Sequence, residues 1–271
     1  LDGFVTRPGV WGSGGPVQFF IFPVPARDFT AITADLSLLR DNAIAGGVYL
    51  TSSGVQGYQL VFQSNGTFDV YRVLTRRGYA GASPCWFNPL FWCPATLNYD
   101  LATREYVTNY TIPSNGAIFV EDHVWVEGVV NGRVTVGAGR FPVSAATYRD
   151  IMIQNNLTYA ETGSDDVLGL IAQRDIIVPH EVPTDMTIHA AALSQFGSTY
   201  RPFYTAHTRT NLVFFGSQIS FNGGGWKYGN PVVSGFTNTN HLHDENLRYY
   251  PPPGFPVGTT YDLISWEELQ T

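Results

Sequence analysis

The stretch Ala117-Ile-Phe-Val-Glu-Asp-His-Val-Trp-Val-Glu-Gly-Val-Val-Asn-Gly-Arg-Val-Thr-Val136 decides how this chain is read. It holds three β runs, Ala117 to Val120, Val124 to Val130 and Arg133 to Val136, with very little between them. Val, Ile, Phe and Trp dominate, and these side chains fit a pleated, half-buried surface. Outward from it the same texture continues: Ile151-Met-Ile153, Val167 to Ala172, Asp175 to Val178, Met186 to Ala192 and Asn211 to Ser220. Strands so short and so closely spaced do not suit an ordinary sandwich. They fit the rungs of a parallel β-solenoid, in which each coil stacks on the last and buries an inward row of Val, Ile and Leu. The expected fold is therefore mainly β, a β-helix-like solenoid with one N-terminal helix and a small hairpin. An antiparallel β-sandwich is the alternative.

Upstream of this core, residues 1–27 read as a loop with one strand, Val17 to Phe22. Residues 28–45 carry Phe29, Ile32, Leu36, Leu39 and Ala43 at spacings of three and four, which predicts a helix with one apolar stripe. Asp28 is its expected N-cap, and Gly46-Gly47 stop it. A β run follows over Gly47 to Thr51. Then Tyr58 to Gln63, Asn65-Gly66 and Thr67 to Val73 predict a hairpin with a type I′ turn. Residues 74–115 and 221–258 read as irregular, and Tyr261 to Leu269 as a terminal cap. This divides the chain into an N-terminal region, 1–115, and a solenoid core, 116–271, forming one continuous domain.

Composition narrows the class. Charged residues are 14% of the 271, aromatics another 14%, and the net charge is −7. Lys227 is the one lysine among 15 cations. No apolar run approaches the roughly 18 residues of a membrane span. Disorder needs few aromatics and high charge, the reverse of this chain. The sign of the charge speaks against a generic polybasic nucleic-acid binder, although a local basic patch is compatible with it. Aromatics concentrate around 71–92 and 196–255. The opening Leu1-Asp-Gly-Phe reads as the interior of a longer chain, so any membrane anchor is expected upstream.

Two cysteines, Cys85 and Cys93, bracket Trp-Phe-Asn-Pro-Leu-Phe-Trp. A disulfide closing this loop is expected, worth about 2–3 kcal/mol in the chain-entropy model and implying an oxidising, extracellular location. Two unrelated buried thiols are the alternative.

Several constellations could carry chemistry. Glu121-Asp122, Asp165-Asp166 and Asp175 are the carboxylates a glycan-cleaving enzyme would need in pairs. Asp165-Asp166 follows Gly163-Ser164 and has the look of a turn. His241 and His243 alternate as metal ligands on a strand would, with Asp244 and Glu245 next to them, inside a polar loop. His180, in Pro179-His-Glu-Val-Pro183, is expected to bond a turn. Gly223-Gly224-Gly225 precedes Trp226 and Lys227 rather than a phosphate-holding helix. The strongest local pattern is Arg72, Arg76 and Arg77 beside Tyr71 and Tyr79, followed by Trp86, Phe87, Phe91 and Trp92. Arginine with exposed aromatics grips phosphates and stacks on bases, and it suits sugar rings equally. The bland reading packs these aromatics inward around a disulfide. The expected ligand-binding residues are Arg72, Arg76, Arg77, Tyr79, Trp86 and Trp92; no catalytic residue, metal or cofactor is expected.

Three stretches, Gly46 to Leu50, Phe119 to Val136 and Val167 to His180, resemble a family of pilus-associated bacterial proteins of the PilX type, in particular its competence-associated minor pilins. The resemblance covers about Asp28 to the C-terminus. It implies a β-solenoid displayed outside the cell on or near a type IV pilus. It further implies a role in DNA uptake, DNA and other pilins or pilus-tip proteins as partners, and no catalytic motif. The pilin-like N-terminal helix of that family is missing from this sequence.

Overall fold

The computed structural model describes residues 29–85 and 88–256. Segment Val17 to Phe22, Asp28, Trp86, Phe87 and the cap over Tyr261 to Leu269 lie outside the described residues. One α-helix, α1 (Ile32–Gly46), precedes β1 (Val48–Leu50), β2 (Gly57–Gln63), β3 (Thr67–Cys85) and β4 (Asn88–Thr111). Then follow β5 (Ala117–Val120), β6 (Val124–Val130), β7 (Arg133–Ala138), β8 (Ile151–Tyr159), β9 (Val167–Ala172), β10 (Ile176–Ile177) and β11 (Asp185–Ser194). The series ends with β12 (Thr199–Tyr200), β13 (Phe203–Tyr204), β14 (His207–Ser220), β15 (Lys227–Tyr228) and β16 (Ser234–His243). The protein is mainly β, with one open, curled sheet whose strands pair mostly in parallel.

Three parallel ladders organise the sheet. The first aligns Val48, Ile118, Val136, Leu170 and Ala192. The second aligns Tyr58, Val124, Ile151, Ile176 and Thr199. The third aligns Phe62, Gly128, Leu157, Ile188, Phe214 and His241. Apolar residues of all three rows meet in one buried cluster. Each buried Val, Leu or Ile contributes about 1.5–3 kcal/mol of transfer free energy, so stacked rows outweigh the thin local propensity of such short strands. The antiparallel-sandwich alternative is overturned here. Among the described residues, antiparallel pairing is confined to β2–β3, β3–β4, β13–β3 and β15–β16. β1 and β2 pair with β5 and β6, so the ladders cross the 115/116 division of the chain.

The outward residues of two ladders are covered. On the first, Leu36, Leu39 and Ala43 of α1 pack on Ala117, Phe119, Ile171, Ala191 and Leu193. Gly137 makes room: a Cβ there would stand 2.7 Å from Leu39 Cδ2. On the second, the outward row Trp125, Met152, Ile177 and Tyr200 lies under the β3/β4 ribbon, through Val73, Tyr99 and Leu101.

Four local expectations need correction. α1 starts at Ile32, and its N-cap, Ala31, makes no side-chain capping bond. The hairpin turn is not type I′: Gly66 has φ +82°, while Asn65 is absent from the positive-φ residues. Gly66 N–H donates to Gln63 O at 3.1 Å, and three residues separate the paired Gln63 and Thr67. That is the three-residue loop with glycine in the left-handed position. Residues 74–115 are not irregular but form most of the long β3/β4 ribbon. Its register shifts at several points, which breaks the period-two pattern that strands normally write into sequence. Within 221–258, β16 is a regular strand stacked on β14, and Asn238 Nδ2 donates to Asn211 Oδ1 at 3.0 Å. Asparagine is disfavoured in strands, but stacking satisfies its amide.

Candidate functional site

The predicted arginine–aromatic cluster is split by the ribbon. Arg72 pairs with Glu105 across the strands, Nε to Oε1 at 2.6 Å. Arg76 turns under the ribbon, donates to Gln56 O at 2.9 Å, and lies 5.1 Å from the Trp125 ring centre. Burial pushes its pKa down. Arg77 is exposed and reaches the Tyr79 hydroxyl at 3.5 Å. Tyr79 itself stacks on His180, with ring centres 3.7 Å apart and planes 8° from parallel. Arg104, not singled out above, donates to Gln59 and stands 3.9 Å from Glu127. Arg77 and Trp92 are exposed, whereas Arg72 is neutralised and Arg76 is committed to the interface. Cys93 is disulfide-bonded, and the sequence holds one other cysteine.

His180 lies in a dense polar junction between ribbon and body. It stacks on His207 at 3.4 Å and holds Glu181 Oε1 at 3.1 Å through Nδ1. Beneath it, Arg201 is fully buried and donates to Pro179 O, His180 O and His207 Nδ1. Asp100 of the ribbon accepts from the His180 and Glu181 backbone N–H groups, at 3.1 and 2.6 Å. Burial pushes His207 down to about 4 and His180 down as well. The turn role expected of His180 is thus filled by its backbone, while its ring joins the ribbon to the body.

Two of the carboxylate candidates, Asp122 and Asp166, are spent on structure. Asp122 accepts from Ser53 N and Oγ at 3.0 and 2.7 Å, with Arg149 Nε at 3.6 Å. Asp166 accepts from Gly132 N and Glu161 N at 2.6 and 3.0 Å, which is the turn role its context suggests. Asp150 is buried between Arg174 and His123, and these partners hold its pKa low against the burial that opposes them. Asp175 differs. Its Oδ1 accepts from Ser198 N at 2.8 Å and Arg174 Nε stands 3.4 Å from Oδ2, yet burial, with Asp150 near, outweighs both and raises its pKa to about 6. His241 is hydrogen-bonded to Gln218 at 3.1 Å, and Asp244 caps the turn at Asn246 N. Among the described residues, no three His, Cys, Asp or Glu side chains converge as a metal site, and no helix is long and apolar enough to cross a membrane.

Asp175 opens into a cleft of about 360 Å³ between the far end of the ribbon and the segments that carry β12, β13 and β15. Trp92, 53% exposed, forms one wall, 5.9 Å from Tyr228 and 6.4 Å from Phe203 between ring centres. Tyr99, Tyr200, Ser83, Ser198 and the Gly223–Gly225 backbone complete it. Sequence reasoning found Trp92, Asp175 and the triple glycine separately. It missed Tyr200, Phe203 and Tyr228, whose only signal was the second aromatic concentration at 196–255, and Tyr99, which lies outside both concentrations. No family model, curated protein or solved structure matches this chain. What fold and site define is a β-rich body with an open aromatic cleft.

Proposed function

We propose that this chain is a non-enzymatic, extracellular binding module of a type IV pilus- or competence-associated protein, a rigid β-solenoid displaying a ligand-contacting ribbon. Three parallel ladders that recur in the same order along the chain support the solenoid reading. The sequence stretches that resemble pilus-associated proteins support the cellular setting. The observation that carries the binding reading is the open aromatic cleft with Trp92 at its rim.

The chemistry of this surface favours stacking over phosphate gripping. Arg72 and Arg104 face carboxylates and Arg76 is half-buried against Gln56 and Trp125, which leaves Arg77 as the free cation of that group. On the ribbon, DNA therefore stands as a ligand through Arg77 and aromatic stacking, with the steep salt dependence that phosphate contacts impose. Glycan cleavage is disfavoured because such chemistry uses two carboxyl groups, and the cleft lining among the described residues offers Asp175.

The test compares the chain with a Trp92→Ala, Arg77→Ala double variant for retention on cell-envelope polysaccharide and on duplex DNA at low salt. Retention on either, lost in a double variant that melts like the parent, supports the module. Retention on neither overturns it, and new reducing ends on the polysaccharide would overturn the non-enzymatic part.

A further inference from the structure

We infer that the cleft bounded by Trp92, Tyr228 and Phe203 and floored by Asp175 and Ser198 is a binding site for uncharged pyranose rings, a short segment of neutral oligosaccharide. This rests on the binding-module reading and narrows its ligand.

The walls come from three separated elements: β4 supplies Trp92, β13 supplies Phe203 and β15 supplies Tyr228. Phe203 and Tyr228 meet edge to face, 5.5 Å apart at 76°, so each ring is braced by another. β13 is itself tied to the ribbon: Phe203 and Tyr204 pair with Ala82 and Gly81, and Thr205 N–H donates to Ala80 O at 3.0 Å. A braced aromatic wall with an open face suits the C–H side of a sugar ring.

The polar groups then choose among flat ligands. The phenols are occupied: Tyr228 donates to Arg201 O at 2.8 Å, and the Tyr99 and Tyr200 hydroxyls bond each other. What the floor offers is the Asp175 carboxyl and the Ser198 hydroxyl, the latter donating to Gly223 O at 3.0 Å. The lining among the described residues contains a carboxyl group and no Arg, Lys or His. Arg174 stands behind the floor, 3.4 Å from Asp175 Oδ2 and also paired with Asp150, so a nucleotide phosphate would meet the carboxyl first and a cation already paired. A proline-rich peptide would present carbonyls, which need donors. Sugar hydroxyls donate as well as accept, and a carboxyl poised near neutrality can answer either way. The volume falls within the roughly 300–1,000 Å³ of small-molecule sites. Gly223 has no atom within 4 Å of where its Cβ would be, so the floor stays open there.

The experiment titrates cellotetraose, chitotetraose and mannotetraose into the full chain by calorimetry, alongside Trp92→Ala, Trp92→Phe and Arg248→Ala. The expected result is saturable binding of at least one sugar, weakened about tenfold or more by Trp92→Ala. Losing one stacked ring is worth about that factor. Trp92→Phe should restore part of it, and Arg248→Ala, at an exposed cation outside the cleft lining, should leave it unchanged. Absence of saturable binding by all three sugars overturns the inference, as does binding that Trp92→Ala leaves intact or binding of oligoproline in their place. If the sugars fail while DNA retention persists and depends on Arg77, the inference falls and the binding module stands. If nothing is retained, both fall.

Discussion

Replacing Gly128 by alanine tests whether close backbone approach between stacked strands governs this fold. Gly128 sits in β6 at φ +106°, paired with Phe62 on one side and Leu157 on the other, where the β6–β8 register shifts. A Cβ there would stand 2.1 Å from Phe62 O and 2.9 Å from Phe62 N. The positive φ alone costs about 1–2 kcal/mol for a residue with a side chain. Displacing a neighbouring strand adds about 1–3 kcal/mol, by analogy with overpacked cores. The sum is about 2–5 kcal/mol, reduced by up to about 1 kcal/mol because alanine stiffens the unfolded chain. At about 2–4 °C per kcal/mol for a chain of this size, the melting midpoint should fall by roughly 5–15 °C. Two controls separate the causes. Gly163→Ala, at φ +88° with nothing within 4 Å, carries the conformational cost only and should lose a few degrees, about 1–2 kcal/mol. Gly47→Ala, at φ −101°, carries only the clash, its Cβ 2.1 Å from Ala117 O. Melting followed by far-ultraviolet circular dichroism reads all three. A Gly128→Ala midpoint equal to that of Gly163→Ala would refute the close-approach reasoning.

Further predictions concern charge and packing. Asp150→Asn leaves Arg174 and His123 facing a neutral amide at a buried position and should destabilise by about 3–5 kcal/mol, measured by urea titration. Asp122→Asn, which keeps its serine bonds, should lose less. His180 and His207 are held neutral in the folded protein, so the unfolded chain binds their protons first. Their contribution is complete above about pH 6.5 and declines as pH falls toward about 4, and amide exchange at the β3–β13 pairing should quicken there. Asp175 acts oppositely: its pKa, raised to about 6, makes the native state the better proton acceptor between about 6 and 3.8. Asp175→Asn should therefore sharpen the acid sensitivity, and an unchanged pH profile would count against this assignment. Leu170→Ala, at the centre of the first ladder, should cost about 2–5 kcal/mol through the cavity it opens, read as a lower urea midpoint with an unchanged slope.

How much was legible in the sequence depended on whether one residue's neighbours were its own neighbours in the chain. Ile118, Val136 and Leu170 announce buried strands because each is flanked by its own kind, so the mainly-β class and most strand positions follow directly. The helix stripe Leu36, Leu39 and Ala43 is equally local. The ribbon was missed because its bulges scramble alternation, and because Tyr99 and Leu101 are stabilised by a ladder far away in sequence. The candidate site was legible only in pieces. Trp92 and Asp175 carry no shared motif, and what joins them is the docking of β13 onto β3. That docking depends on a buried arginine, Arg201, and a buried carboxyl, Asp100, neither of which a sequence marks as internal.

The helix that covers the first ladder also decides how the body would carry load. A stack in which each rung touches only its neighbours can shed its end rungs one at a time. α1 is about 22 Å long at 1.5 Å per residue, and five rungs at about 4.8 Å spacing span nearly the same distance. It runs across them. At its start Gln195 Nε2 donates to Phe29 O at 3.2 Å and to Thr33 Oγ1 at 2.6 Å, while at its end Asn115 Nδ2 donates to Asn42 O at 2.9 Å. A pull entering at Phe29 is therefore met by the far rungs first and then passed along the whole helix, in shear rather than by peeling. Leu36, Leu39 and Ala43 would have to slide past several strands together before any one of them came free, so α1 acts as a splint for the stack.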